Sequence, residues 1–140
     1  MDEKLKTEDF SGEDIASPSY CFFKRGEKNY YISVECLREV VEFNEIFPVP
    51  LAPDYVKGAI PLRGVVIPVI DMLKIENRPG SSTEESGTII IFEVEKERIG
   101  FLADGLPGFS QNIEDLPESS FIDINKFFET YMIKETSDVV

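Results

Sequence analysis

The sequence predicts an all-β protein with one or two short helices, folded into small and strongly bent barrels. Three observations predict this. Two stretches, one in each half of the chain, read as β-hairpins by their apolar alternation. Glycines bound the short apolar runs of the middle segment, FPVPLAPDYVKGAIPLRGVVIPVID at 47–71. Pro61 and Pro68 fall inside those runs, where each removes a ladder donor and so marks an edge, a bulge or a barrel corner rather than a flat sheet.

The elements follow in order. Residues 1–17 are polar, acidic and poor in aromatics, which is too little apolar surface to offset the entropy of ordering them; they read as a mobile acidic tail before a folded domain at 18–140. YCFFKRG, then Glu27, Lys28 and NYYISV, reads as two strands joined by a tight turn at Gly26, with Tyr30, Ile32 and Val34 on one face. Residues 36–43, CLREVVEF, place Leu37, Val40 and Val41 at helical spacing with Arg38 and Glu42 one turn apart opposite them. A short helix is expected there, against the β preference of the two valines. Pro48 and Pro50 fix their own φ and push Phe47 and Val49 out of the helical region, giving an extended strap. Pro53 suits a helical first turn that ends at Gly58.

Strands at 59–62 and 65–70 come next, separated only by Arg63 and Gly64. The second is apolar on both faces, as expected for a strand buried between two packed lobes. Residues 77–87 carry Pro, Gly, Ser and Glu without apolar anchors and read as an exposed loop at the lobe boundary. TIIIFEVE, a turn at 96–98 and IGFLADGLPGF form the second hairpin, with Ile89 and Ile91 on one face and Ile90, Phe92 and Val94 on the other. The two hairpins share no sequence repeat of fixed period.

Composition narrows function. Fourteen basic against 27 acidic side chains give a formal charge of −13, which repels nucleic acid and anionic membrane surfaces. No signal-peptide core and no run of 18 apolar residues is present, so a cytoplasmic protein without membrane insertion is expected. Cys21 and Cys36 then read as reduced, buried thiols, with a disulfide between them the alternative.

The chain has no histidine, which removes the commonest general base and metal ligand. Neither cysteine has a base partner or a ligand constellation around it, so no nucleophilic site, metal or cofactor is expected. Glu84, Glu85, Glu114 and Asp115 read as solvated loop acids. The glycines at 100, 105 and 108 lack the lysine of a phosphate loop, and Asp123 with Asn125 is only a fragment of a calcium loop. Arg63 stands apart, in a tight link between two apolar strands where a shielded guanidinium needs an acceptor. Glu39 is its candidate partner. Their pairing is either an ordinary ion pair that pins the expected helix to the barrel or one that shapes a docking surface.

The ordered set Leu37, Glu39, Pro48 to Pro50, Pro53, Tyr55, Val56, Gly58, Leu62 to Gly64 and Val66 to Asp71, with Gly100 and Asp104 further on, resembles the CheW family of chemotaxis coupling proteins. The resemblance runs from about residue 20 to about 115 and continues more weakly to 140. It implies two small SH3-like β-barrels packed on a shared core, and a non-catalytic adaptor that couples chemoreceptors, through their cytoplasmic signalling tip, to a CheA-type histidine kinase. In that reading Glu39 and Arg63 order the docking surface, while Val56, Lys57, Gly58, Leu62 and Gly64 line or shape the adjoining contact region.

Two departures stand out. Family members commonly carry asparagine where this chain has Pro61. They also continue through a last apolar strand ending in an aspartate and then a short helix, whereas this sequence stops at Val139 and Val140. The expectation is an open, incomplete second barrel, either a truncated gene product or a lobe completed by another chain through strand exchange or oligomerisation. An adaptor of a gliding or pilus-linked pathway, or a CheV-type relative, is the alternative within the same class. A small acidic hydrolase using Asp71 and Asp104 is the alternative from another class, and it lacks any activated nucleophile.

Overall fold

The computed structural model describes residues 19–43, 45–79, 87–111, 114 and 120–132. The acidic stretch 1–17, most of the expected boundary loop (80–86) and the chain end (133–140) lie outside the described residues. Strand β1 (Tyr20–Arg25) forms a hairpin with β2 (Lys28–Ser33), and a 3-10 turn (Val34–Cys36) leads into β3 (Leu37–Phe43). β4 (Val56–Leu62), β5 (Val65–Ile70) and helix α1 (Met72–Ile75) follow. The second hairpin is β6 (Gly87–Val94) with β7 (Glu97–Ala103), and after it come β8 (Gly108–Ser110) and helix α2 (Ile124–Phe127), which continues as a π-helical turn (Phe128–Met132).

One sheet has the order β2-β1-β8 and the other β3-β6-β7-β5-β4. After β3 the chain crosses to the far edge of the larger sheet, where Phe47 and Ala59 exchange both backbone hydrogen bonds (2.9 and 2.8 Å). That exchange joins the two edges of the five-stranded sheet into a barrel. Ile60, Ile67, Val69, Ile89, Ile91 and Leu102 fill it, with Val41, Phe43, Ile46 and Leu62 at the margins. A second, larger core lies between the outer face of β6 and β7, the β1–β2 hairpin and α2, and contains Phe23, Tyr30, Ile32, Ile90, Phe92, Phe101 and Phe127. Phe23 stacks on Phe101 and Phe127 meets Phe101 edge-on.

The expected split of the second hairpin, Ile89 and Ile91 against Ile90, Phe92 and Val94, is the division between these two cores. The role of a strand buried on both faces belongs to β6 and β7. In β5 only Ile67, Val69 and Ile70 are buried, while Val65 and Val66 are exposed at the open end.

The helix expected at 36–43 is a strand. β3 carries a bulge between Leu37 and Glu39, so one extra residue flips the alternation: Leu37 and Val40 face the larger core, and Val41 and Phe43 face the barrel interior. A spacing of three between apolar residues is thus an interrupted period of two. The single turn after Pro53, closed by the Val56 N–H on the Pro53 carbonyl (3.0 Å), gives way to β4 at Val56 rather than at residue 59. The second hairpin turns at Glu95 and Lys96, one residue before the expected position.

Both strand prolines have a physical account. Ala59 spends its backbone groups on Phe47, so its partner in β5, Pro68, sits at a pair that needs no ladder donor; Pro61, two residues on, points its missing N–H toward the same outer edge.

The ending also differs from expectation. Phe121 bridges Tyr31 in parallel, the Ile122 N–H donates to the Tyr31 carbonyl (2.9 Å), and Asp123 caps α2 by accepting from the N–H groups of Asn125 and Lys126 (3.2 and 3.3 Å). An apolar stretch, an aspartate and a helix therefore stand at 121–132, and Asp123 with Asn125 is a helix cap rather than part of a calcium loop. Both cysteines are free; burial pushes the Cys21 thiol up to about 11 and also raises that of Cys36.

Arg25 at the end of β1 is 1% exposed, and its charge is satisfied from two sides. Nε and Nη2 donate to the two carboxylate oxygens of Asp71 (2.9 Å each), and Nη1 donates to Asp104 (2.8 Å). Burial alone would raise the Asp71 carboxyl, but the hydrogen bonds and charge of Arg25 outweigh it and hold the group below its ordinary value.

A carboxyl whose folded pKa is depressed contributes stability that is complete above the unfolded value of about 3.9 and is lost as the pH falls through the folded value. Stability measured by urea unfolding between pH 6 and 2 is therefore expected to fall below about pH 4. In Asp71→Asn that acid limb should flatten while stability at neutral pH drops by roughly 1–3 kcal/mol, because the buried guanidinium keeps Asp104 but loses its forked carboxylate. An unchanged acid limb would show that Asp71 is not the group responsible.

Candidate functional site

The two-residue link between β4 and β5 sets the geometry at Arg63. Leu62 pairs with Val65, and both residues between them have positive φ, 52° at Arg63 and 83° at Gly64, as a type I′ turn demands. Nothing lies within 4 Å of where a Cβ on Gly64 would be, so glycine is there for its backbone conformation and not for lack of space. An arginine in the left-handed region is strained by roughly 1 kcal/mol. Its guanidinium reaches β3, where Nη1 donates to both oxygens of Glu39 (2.7 and 2.9 Å). Glu39 pairs with Ile91, a barrel-core residue, so the ion pair spans the rim of the barrel. With the Arg63 side chain 67% exposed, such a pair contributes about 0.2–1 kcal/mol, which at most offsets the strain.

The seven residues singled out in the sequence fall into two groups at opposite ends of β4, about 20 Å apart by strand rise. Glu39, Leu62, Arg63 and Gly64 are together, with the Leu62 side chain turned into the barrel core. Val56, Lys57 and Gly58 are at the other end. Val56 packs on the larger core, Lys57 is exposed and Gly58 is buried. A Cβ on Gly58 would lie 2.5 Å from both the Phe47 carbonyl oxygen and Ile46 Cγ2, so only glycine lets the strap close the barrel there.

Between the two groups lies a surface whose β5 side chains the sequence reading assigns to burial between lobes. Ile46, Ile60 and Ile67 point into the barrel, so their neighbours Phe47, Pro61 and Val66 point outward; Pro61 and Val66 are paired across β4 and β5. Val66 is 71% exposed, Phe47 about half exposed, and Val49 and Leu51 extend the patch along the strap. Residues 47–70 contain only Asp54, Lys57 and Arg63 as charges in a chain with 27 acids. Beside β5 the patch runs into a cleft of about 380 Å³ whose near wall is apolar, with Val65, Val66, Pro68, Phe128 and Met132, and whose far wall is the charged β6–β7 turn at 95–98. The available signal was that apolar residues fill both faces of β5, and burial and docking give the same pattern.

Asp71 and Asp104, the pair weighed for hydrolysis, are both held by Arg25, and Asp71 is 1% exposed and kept ionised. A carboxylate fixed in this way offers neither a proton donor nor an accessible base. Among the described residues no helix is long and apolar enough to cross a membrane.

Comparison with known proteins places this geometry among relatives. The model of the CheW-like domain family matches residues 19–137. The chain is 29% identical over 137 residues to the chemotaxis protein CheW of Thermotoga maritima, covering 81% of this chain and 89% of that one. It is 34% identical over 86 residues to the chemotaxis protein CheW of Treponema pallidum, covering 59% and 51%. The crystal structure of the scaffolding protein TtCheW from Thermoanaerobacter tengcongensis aligns with a TM-score of 0.62 at 27% identity, over 71% of this chain and 68% of that one. The matched region spans about half the length of several of the curated relatives.

Arg63→Gly relieves the turn strain and loses only an exposed pair, so thermal or urea unfolding should show stability unchanged or raised by up to about 1 kcal/mol. Gly58→Ala should instead lower stability by roughly 1–3 kcal/mol, since the new methyl meets backbone that cannot move without opening the barrel. A loss in the first variant as large as in the second would mean that the ion pair, and not the Phe47–Ala59 exchange, holds the barrel shut.

Proposed function

The chain belongs to the CheW-like domain family, and we propose that it is a non-catalytic cytoplasmic adaptor that couples chemoreceptors to a CheA-type histidine kinase. The observation that carries the reading is the charge-poor apolar outer face of β4, β5 and the strap on a strongly acidic chain, with an exposed, strained arginine at its edge. A surface of this kind fits protein contact, because exposed apolar patches rimmed by polar groups are costly to leave in water. Glu39, Val56, Lys57, Gly58, Leu62, Arg63 and Gly64 divide the work. Arg63, Gly64 and Lys57 present contact groups or set the turn, Glu39 aims the guanidinium, and Val56, Gly58 and Leu62 shape the strand from beneath.

Contact on this face is made through side chains. Pro61 leaves the β4 edge without a donor at that position, which disfavours strand addition there.

The test is binding of the purified chain to the kinase and to the receptor signalling fragment of the same genome. Arg63→Ala is expected to weaken kinase binding by about 1 kcal/mol or more, roughly fivefold, with the unfolding midpoint unchanged. Val66→Asp should do the same by placing a charge in the apolar patch. Unaltered affinity in both variants rejects this face as the docking site, and absence of binding by the unmodified chain rejects the adaptor reading itself.

A further inference from the structure

We infer that Arg25 is a positioning residue that sets the angle between the three-stranded sheet and the five-stranded barrel, and through it the coupling between two bound partners. The inference rests on the adaptor reading for its functional half and on geometry for the rest. Arg25 ends β1, Asp71 follows β5 directly and Asp104 follows β7 directly, so one guanidinium ties the end of one strand in the small sheet to the ends of two strands in the barrel.

All three guanidinium nitrogens are engaged. Nε and Nη2 form a parallel fork onto Asp71, and Nη1 takes Asp104. The two carboxylates are themselves fixed by backbone. The Leu73 N–H donates to Asp71 (3.0 Å), the Gly26 N–H donates to Asp104 (2.7 Å), and the Asp104 N–H donates to the Lys24 carbonyl (2.8 Å). Arg78, just after α1, closes the same corner from outside, donating to the carbonyls of Arg25 and Gly26 (2.9 and 3.0 Å).

The aromatic core between the two sheets is held by burial, which is not directional, so packing alone tolerates a small rotation of one sheet on the other. A planar fork with fixed acceptors does not. For stability alone the charges are dispensable, since apolar residues of similar volume commonly serve as well as a buried ion pair. An adaptor that holds two partners, however, transmits through its own shape, and the angle between its sheets is then part of the signal path.

The test uses the 15N-labelled full chain and the Arg25→Lys variant, which keeps the charge and loses the fork. Residual dipolar couplings of backbone amides in β1–β2 and in β4–β7 should fit one alignment tensor in the unmodified protein and require two in R25K. Affinity for the kinase alone and for the receptor fragment alone should stay unchanged, while receptor-dependent stimulation of the kinase falls about fivefold or more. A merely structural role would instead lower both binary affinities and the stimulation together, as folded protein is lost. Should R25K not fold, R25M combined with D71N removes the fork and its buried carboxylate together, leaves the part-exposed Asp104 on the Gly26 N–H, and carries the same expectations.

A single tensor in the folded variant overturns the inference, and so do two tensors with stimulation intact. If the unmodified chain binds neither partner, the adaptor reading fails by itself and the dipolar couplings alone decide whether Arg25 sets the angle.

Discussion

Much of the corner where the two sheets meet is arranged around one buried positive charge. A guanidinium removed from water is tolerated only where fixed acceptors replace its hydration, and that requirement dictates what stands around Arg25. Asp71 has to end β5 at the height of Arg25, and there it also caps α1 through Leu73, so one carboxylate serves two elements. Asp104 has to leave β7 at the same corner, and it binds the β1–β2 turn through Gly26. One cation against two anions leaves a surplus negative charge, which is placed on the side open to water: the Asp104 side chain is 31% exposed, whereas that of Asp71 is 2% exposed.

A three-stranded sheet ending in a three-residue strand has too little area to bury a core of its own. It is viable here because β6 and β7 present apolar residues on both faces, one set filling the barrel and the other meeting the small sheet and α2. The two units share a wall and are expected to unfold as one. Helix α2 is drawn into the same arrangement by rings, Phe101 to Phe127 to Tyr131 to Tyr55, which carry the packing from the shared wall to the turn that precedes β4.

What could be read from the sequence is what depends on local pattern. The two faces of β6 were legible because a short apolar run read as a strand divides its residues by a period of two, and the Arg63–Glu39 pair was legible because Arg63 stands alone between two apolar strands and Glu39 is set beside the apolar Val40 and Val41. β3 was not, because its bulge shifts the alternation by one residue, and a shifted strand imitates a helix over seven positions. The outward valines of β5 were not, because exposure for docking and burial for stability select the same residues. The Arg25 corner was beyond reach for a different reason: its partners are 46 and 79 residues away, and no short-range pattern encodes a contact of that separation. The ending at 121–132 was not legible and the sequence reads as lacking it, since its apolar stretch, Phe121 and Ile122, is only two residues long and meets β2 at a single bridge among the described residues.

Strain at Arg63 is not in itself a mark of function. Among the described residues the three hairpin turns each use two residues with positive φ, and two of them contain a glycine: Gly26 with Glu27, and Arg63 with Gly64, while Glu95 with Lys96 adopts the same turn with none. The fold therefore tolerates left-handed side-chain-bearing residues wherever a tight link between twisted strands requires them. What separates Arg63 from Glu27, Glu95 and Lys96 is its surroundings. Its guanidinium is aimed by Glu39 across the barrel rim, and the strands it joins carry no acid and a run of outward apolar residues. Glu95 and Lys96 sit among charges, beside Glu93, Glu97 and Arg98, where another exposed charge changes little. An aimed cation next to an apolar face is what suits this rim to docking, and the backbone strain at the turn is a shared property of the fold that this face inherits.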